Sequence, residues 1–331
     1  MVNFPHNRPV IDMHTHVHPD MATVLVDIME TNNLVKVVNL GVLEALDIPF
    51  QDGMHIFRET LGDLMLYFTT PDFGDPSPGF GERMAESLKR KVEAGACGVK
   101  IFKELGLRHR DAEGNLIPVD DPRLDSLWAA AGELEIPVLI HTADPVAFFQ
   151  PLDETNERLE ELQAHPDWYF GEPGFPGHDA LLTRRNRVIE RHPDTTFIGA
   201  HLGNYSERLA YVGACLERYP NFYVDTSARL GEIGRLPTEE VREFFVKHQE
   251  RIIFGTDLVL GWNAFNDPSQ KKGENYRDFY DTHWRFFETD ARQMDHPFPI
   301  QGRWKVNAIN LPDEVTQKLY LRNARRLIPG L

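Results

Sequence analysis

The sequence predicts an α/β fold, a (β/α)8 or TIM barrel, and three observations carry that expectation. Short continuous apolar runs rich in Val, Ile and Leu recur through the chain, amphipathic helical stretches separate them, and several runs stop at a histidine or an aspartate. Strands read as unbroken apolar runs when a parallel sheet is covered on both faces. Strand and helix in steady alternation are the grammar of such a barrel. A doubly wound sheet is the structural alternative, but it seldom needs this many units. The 331 residues fit a single barrel domain, residues 1–331, because α/β barrels occupy about 200 to more than 400 residues as one unit.

The first strand is expected over residues 10–16, where an apolar pair runs into His14 and His16. Side chains alternate along a strand, so these two imidazoles share a face and offer half of a metal site. Residues 21–33 have helical spacing of Val24, Leu25, Ile28 and Met29. A β-branched run over 35–42 is the second strand, 54–63 a helix, and 64–68 the third strand, closed by Pro71 and Gly74. The Lys- and Glu-rich helix 81–94 reads as a solvated outer surface. Residues 97–102 form the fourth strand, with Lys100 inside it. Helix 125–135 turns Leu127, Trp128 and Ala131 inward, and the fifth strand, 137–141, ends at His141.

A long excursion over 142–178 then carries Phe148, Phe149, Trp168, Tyr169, Phe170 and Phe175. Connections in compact domains are usually shorter, so a loop of this length is either functional or loose. It would cover an apolar or aromatic substrate, or pack against a second copy of the chain as a homodimer. Helix 180–191 follows, with Arg184, Arg185 and Arg187 on its solvated face. The sixth strand, 196–201, ends at His201, and helix 206–218 leads to the seventh strand, 221–225. Helix 238–248 opens with Thr238 as a capping residue. The eighth strand, 252–257, ends at Asp257. A second long loop spans 258–301, and an amphipathic helix, 312–328, closes the chain.

Charge narrows the partners. Lys and Arg number 35 against 51 Asp and Glu, a formal charge of −16. Such a surface repels phosphate backbones and anionic membranes, so the expected partner is a small-molecule substrate rather than nucleic acid. Cys97 and Cys215 lie in apolar contexts and read as free thiols, not a disulfide framework. The first ten residues lack a secretory apolar core and no run approaches a membrane span, so a cytoplasmic location is expected.

In a barrel the strand ends converge on one mouth, where active sites sit. His14, His16, His141, His201 and Asp257 would therefore meet. Any one alone is more simply a satisfied core residue. Together they would need several separate partnerships if they did not share a site, because buried imidazole and carboxylate require partners.

This ordered set resembles the amidohydrolase superfamily, and within it the amidohydrolase-related (amidohydrolase 2) branch that includes aromatic-acid decarboxylases and lactone hydrolases. The resemblance runs from Asp12-Met13-His14-Thr15-His16, through His141-Thr142, Gly199-Ala200-His201 and Phe254-Gly255-Thr256-Asp257, to Asn323-Ala324-Arg325-Arg326-Leu327. It implies that His14, His16, His141 and Asp257 hold one divalent metal, with zinc the first expectation from the imidazole and carboxylate donors. It also implies a metal-dependent hydrolase acting on a small amide, lactone or ester. Asp257 would accept the proton of the attacking water, and His201 would orient that water or polarise the carbonyl. The alternative on the same residues is non-oxidative decarboxylation of an aromatic or unsaturated acid.

Binuclear members of the superfamily bridge two metals with a carboxylated lysine on strand four. A second metal bridged by a carboxylated Lys100 is the less favoured reading here. Fixing a substrate carboxylate is the role expected of Lys100. Lys103, three residues on, should face the other way on a regular strand, so at most one of the two points inward. Glu104 is the other polar group at that strand end. Arg229 would bind a carboxylate bidentately or form a rim ion pair, the latter being the simpler expectation. Asp225 would hold a loop or touch substrate. His18, His55, His109, His165 and His192 read as surface or loop histidines. His178, otherwise in that group, is retained as a third substrate-binding candidate. A metal-dependent nuclease would also use His-x-His on strand one, but the acidic charge opposes it. A non-catalytic barrel would show a complete ligand set with its mouth plugged by side chains.

Overall fold

A computed structural model describes residues 6–261 and 276–328. Nine strands form one parallel sheet: β1 (Val10–Val17), β2 (Leu34–Leu40), β3 (Met65–Thr69), β4 (Gly98–Ile101), β5 (Val138–Ile140), β6 (Phe197–Gly199), β7 (Phe222–Asp225), β8 (Ile252–Ile253) and β9 (Leu258–Leu260). Their order is β8-β7-β6-β5-β4-β3-β2-β1-β9. The expected eighth strand is thus two short ones. β8 pairs with β7 and β9 pairs with β1, so both ends of the sheet land on the single segment 252–260. Between them, Met13 donates to the Phe254 carbonyl and the Asp257 N–H donates to the His14 carbonyl, at 3.0 and 2.8 Å. This is the (β/α)8 architecture the sequence predicts.

The apolar residues divide into two layers. Ile11, Met13, Phe68, Leu139, Ile198 and Ile253 belong to an inner cluster, which Ala324 and Ile328 of the closing helix join. A larger cluster fills the space between sheet and helices. β1 serves both the barrel interior and the mouth because its register against β2 breaks between Asp12 and Thr15. An irregularity of this kind re-aims side chains. Met13 fills the inner cluster, and His14, the very next residue, lines the cavity above it.

Several connections differ from expectation. The excursion after β5 is folded: it contains a short helix, Leu159–Ala164, and its aromatics pair off, Phe148 with Trp168 and Phe170 with Phe175. Of the expected loop 258–301, residues 262–275 lie outside the described residues, 258–260 are β9, and Tyr276–Glu288 is a helix. Arg185 is not on a solvated face but 1% exposed, with its Nη1 bonded to the Gly203 carbonyl. Thr238 does not cap its helix; Pro237 stands at the cap, and the Thr238 hydroxyl accepts from Arg292 at 2.6 Å. No helix among the described residues is long and apolar enough to cross a membrane.

One buried histidine away from the mouth ties stability to pH. His283 packs between Phe254 and Phe279, with Nδ1 2.8 Å from the Phe279 carbonyl. Burial pushes its pKa down to about 4 from the ordinary 6.5. The unfolded chain therefore takes up a proton that the folded chain refuses. Stability from this residue is full above pH 6.5 and is lost as pH falls toward 4, by about 3 kcal/mol at ~1.4 kcal/mol per pH unit. His283→Leu is expected to flatten the urea-derived stability of metal-free protein across that window. An unchanged slope would remove His283 from the account.

Candidate metal centre

β1 brings in His14 and His16, and the ring nitrogens are oriented from behind. His14 Nδ1 lies 2.7 Å from Asp225 Oδ2, and His16 Nδ1 lies 3.0 Å from the Leu40 carbonyl. Both of those oxygens can only accept. Burial, aided by the charge of Lys100, pushes the His14 pKa down to about 4, so its ring is neutral. With the ring proton on Nδ1, each Nε2 keeps a lone pair directed into the site. Asp257 Oδ1 lies 3.4 Å from both Nε2 atoms. Burial alone would raise the Asp257 carboxyl, and only positive charge on the imidazole side of the site brings it well below the usual carboxylate range.

Two lone pairs and a carboxylate oxygen, all within 4.8 Å of one another, repel; the Lys100 ammonium, 3.3 Å from His14 Nε2, offsets this at one corner, and a cation among the three would offset all of it. The donor set is imidazole and carboxylate without thiolate, which suits zinc, manganese or a similar divalent ion. The residues present therefore fit a metal. Close approach of the strands allows it: a Cβ on Gly255 would meet His14 Cβ at 2.9 Å. Asp257 itself has φ of 67°, in the left-handed region, where strain commonly marks functional residues.

His141 departs from the expected four-ligand set. It lines the same cavity, and its ring lies edge-on to His201 with centroids 4.5 Å apart. Its Nε2, however, sits 3.2 Å from Asp144 Oδ1, and it is not part of the close group of His14, His16 and Asp257. The cause is local. Asp144 follows by three residues, and Lys103 holds its other oxygen at 2.5 Å. That ion pair, with the His141 contact, keeps the Asp144 carboxyl below its usual range despite burial.

His201 stands beside the group, its ring 5.0 Å from that of His14. Its Nδ1 is 3.0 Å from the Ser227 carbonyl, which again places the ring proton on Nδ1 and a lone pair on Nε2. Burial and then the Arg229 charge hold its pKa well below the ordinary histidine value. A cavity of about 990 Å³ opens over these residues. Among the described residues no side chain plugs the mouth.

The cations are distributed differently from the sequence expectation. Lys100 is 1% exposed, and its Nζ lies 3.3 Å from His14 Nε2 and over the Phe102 ring. Burial lowers its pKa to about 8. Lys103 also lines the cavity, so both lysines point inward. The strand ends at Ile101, and the alternation that would separate them no longer applies at 103. Among the described residues Arg229 makes no rim ion pair. It is 6% exposed, lines the cavity, and among the described residues the one hydrogen bond of its guanidinium is from Nη1 to the Ala228 carbonyl at 2.7 Å. His178 is buried but does not line the cavity; its Nε2 lies 2.9 Å from the Asn204 carbonyl. His109 and His165, expected as surface or loop histidines, line it, stacked on Phe73 and Trp168.

Asp225, expected to hold a loop or touch substrate, instead stands behind the site. Asp225 accepts from His14, from the His201 N–H at 2.8 Å and from the Ser227 hydroxyl at 2.6 Å, so it orients two histidines at once. Its place at the end of β7, level with the other chemistry-bearing strand ends, was the available signal. Carboxylates in this position fix the ligand tautomer and are typically worth 10- to 100-fold in metal affinity. Asp225→Asn is accordingly expected to weaken zinc binding by about that factor, measured by competition with a chelating dye. Unaltered affinity would show that His14 needs no such partner.

Fold and site together define a parallel α/β barrel with a candidate cation centre at its mouth. The family model described as Amidohydrolase matches residues 70–330, and the chain belongs to the amidohydrolase family. The match begins beyond the His14/His16 strand. Among solved structures, an uncharacterized TIM-barrel protein from Bordetella bronchiseptica is similar at 15% identity and a TM-score of 0.58, over 97% of this chain and 98% of that one. A dihydroxybenzoic acid decarboxylase from a Polaromonas species, with bound manganese and an inhibitor, 2-nitroresorcinol, shares 14% identity with a TM-score of 0.56, over 97% of each chain. A probable 2-pyrone-4,6-dicarboxylic acid hydrolase from Acinetobacter baumannii, with citric acid bound, shares 11% with a TM-score of 0.55, over 96% of this chain and 98% of that one. At such identities the likeness is one of fold. No curated protein matches the chain.

Proposed function

We propose that this protein is a metal-dependent hydrolase that opens an amide, lactone or ester bond in a small substrate bearing an anionic group. The observation that carries the reading is the close triangle of His14 Nε2, His16 Nε2 and Asp257 Oδ1, three acceptors brought together beneath an open cavity. His14, His16 and Asp257 would hold one divalent cation, with His141 as the further donor. Such a cation supplies Lewis acidity and makes water nucleophilic near neutral pH. Asp257, ionised and at the triangle's edge, takes the proton of the attacking water. His201 offers its Nε2 lone pair to orient that water, and Ser227 fixes the ring. Arg229, buried and without a carboxylate partner among the described residues, receives the anionic group of the substrate.

Decarboxylation is the second reading, favoured by one observation: two buried cations, Lys100 and Arg229, border the site and would grip a carboxylate that is itself to be lost. The two readings separate in a turnover screen of metal-analysed protein against lactones, amides, esters and aromatic acids, following CO2 release alongside hydrolytic products. Hydrolysis that chelation abolishes and zinc or manganese restores supports the first reading. Release of CO2 alone selects the second, and turnover indifferent to chelation sinks both.

A further inference from the structure

We propose that Arg185 and His178, both on the helix His178–Arg191, are positioning residues that hold His201 at the site by clamping a left-handed turn. This rests on the reading of His201 as a working group in the proposed reaction. After β6 the chain makes a single left-handed turn. His201, Leu202, Gly203 and Asn204 have φ of 56°, 53°, 64° and 58°. Glycine enters this region freely; Asn, Asp and His do so more often than other residues with a side chain, and then as isolated residues. His201 and Leu202 side by side are uphill, so surrounding contacts must over-determine the conformation.

Those contacts are specific. At the start of the turn, the His201 N–H donates to Asp225 Oδ1 at 2.8 Å. At its end, Asn204 Oδ1 accepts from the Thr142 N–H at 3.0 Å. Two carbonyls point away from the site toward the helix His178–Arg191. Arg185 Nη1 donates to the Gly203 carbonyl, and His178 Nε2 donates to the Asn204 carbonyl at 2.9 Å. Arg185 is 1% exposed and has no carboxylate partner among the described residues. It also meets the Asn186 side-chain oxygen, the Cys215 thiol and the face of Phe222, 4.9 Å away. Burying a guanidinium without an anion is unfavourable, and here it serves a backbone oxygen of the turn. His178 sits between the rings of Phe149 and Tyr205, which fix its plane. Neither side chain lines the cavity, so neither touches substrate.

Without the clamp, the turn relaxes toward ordinary backbone angles. The His201 N–H leaves Asp225, and its imidazole leaves Ser227. His14, His16 and Asp257 come from β1 and the segment after β8, so the cation triangle stays in place. A displacement of this order in a group that positions a reactant lowers kcat by about 10²-fold.

The test uses the full chain loaded with zinc, in the series Arg185→Met, Arg185→Lys, His178→Phe and His178→Gln. Histidine ring nitrogens and their protons are followed by NMR, with bound zinc and KM and kcat on whichever substrate the turnover screen returns. Arg185→Met and His178→Phe are expected to lose the His201 Nδ1–H signal and most of kcat, with bound zinc and KM unchanged. Arg185→Lys and His178→Gln, which keep a donor, should restore both. The donor-keeping variants still read the clamp if Arg185→Met fails to fold. The proposal is overturned if the His201 signal survives in both donor-free variants, or if zinc and the signal are lost together. Because the signal and the zinc content need no substrate, the absence of any turnover would count against the proposed reaction and not against the clamp.

Discussion

Asp257→Asn is expected to abolish turnover, with kcat/KM down by about 10³-fold or more, and to weaken zinc binding in the same variant. The size follows from two losses in one substitution. A positioned general base is worth about 10²–10⁴-fold, and the single negative charge of the His14, His16 and Asp257 triangle goes with it. Asn is the informative replacement because Asp257 sits at φ of 67°, a conformation Asn tolerates better than most residues with a side chain. The backbone should therefore stay in place while the chemistry fails. Metal content by elemental analysis and kcat/KM at saturating zinc separate the two losses. A variant that keeps more than a tenth of wild-type turnover at full zinc occupancy would rule out Asp257 as the base.

Arg158→Met is expected to give the largest loss of stability of any single change near the cavity, about 3–5 kcal/mol. Arg158 is buried and bonds Glu161 Oε2 at 2.7 Å and Glu232 Oε1, both of them buried as well. Removing the guanidinium strands two carboxylates out of water, and it is the stranding, rather than the lost attraction, that sets the magnitude. The same physics predicts the control. Replacing all three groups by apolar or neutral isosteres, Arg158→Met with Glu161→Gln and Glu232→Leu, should recover most of the loss. Urea unfolding at fixed metal occupancy measures both, since bound metal would otherwise shift the baseline. A loss below 1 kcal/mol in the single variant would show that water reaches the triad.

Which parts of this site were visible in the sequence follows from the range of the physics involved. Strand-versus-helix character depends on neighbours a few residues away, so the alternation was legible, as were the runs ending at His14, His16, His201 and Asp257. Lys103 and Arg185 were misplaced for the same reason. Strand alternation does not extend past Ile101, where the strand stops, and Arg184, Arg185 and Arg187 do not share one solvated face, because Arg185 turns inward to the Gly203 carbonyl. The length of the aromatic excursion marks it in the sequence as functional or loose. Its internal packing, and the Arg158 triad that it supplies to the cavity wall, depend on residues as distant as Glu232.

By itself the sequence determined the barrel, the acidic surface and the set of groups brought to one end, because periodicity and strand ends are local properties of the chain. The tertiary structure decided how those groups work. His14 takes its tautomer from Asp225, 211 residues away. His141 turns to Asp144, because that carboxylate is locked by Lys103 across 41 residues. Asp257 and His201 adopt left-handed backbone angles, uncommon for any residue with a side chain, held by hydrogen bonds from other strands. Orientation, tautomer and strain are set by partners brought close only when the sheet closes, and no local pattern encodes them.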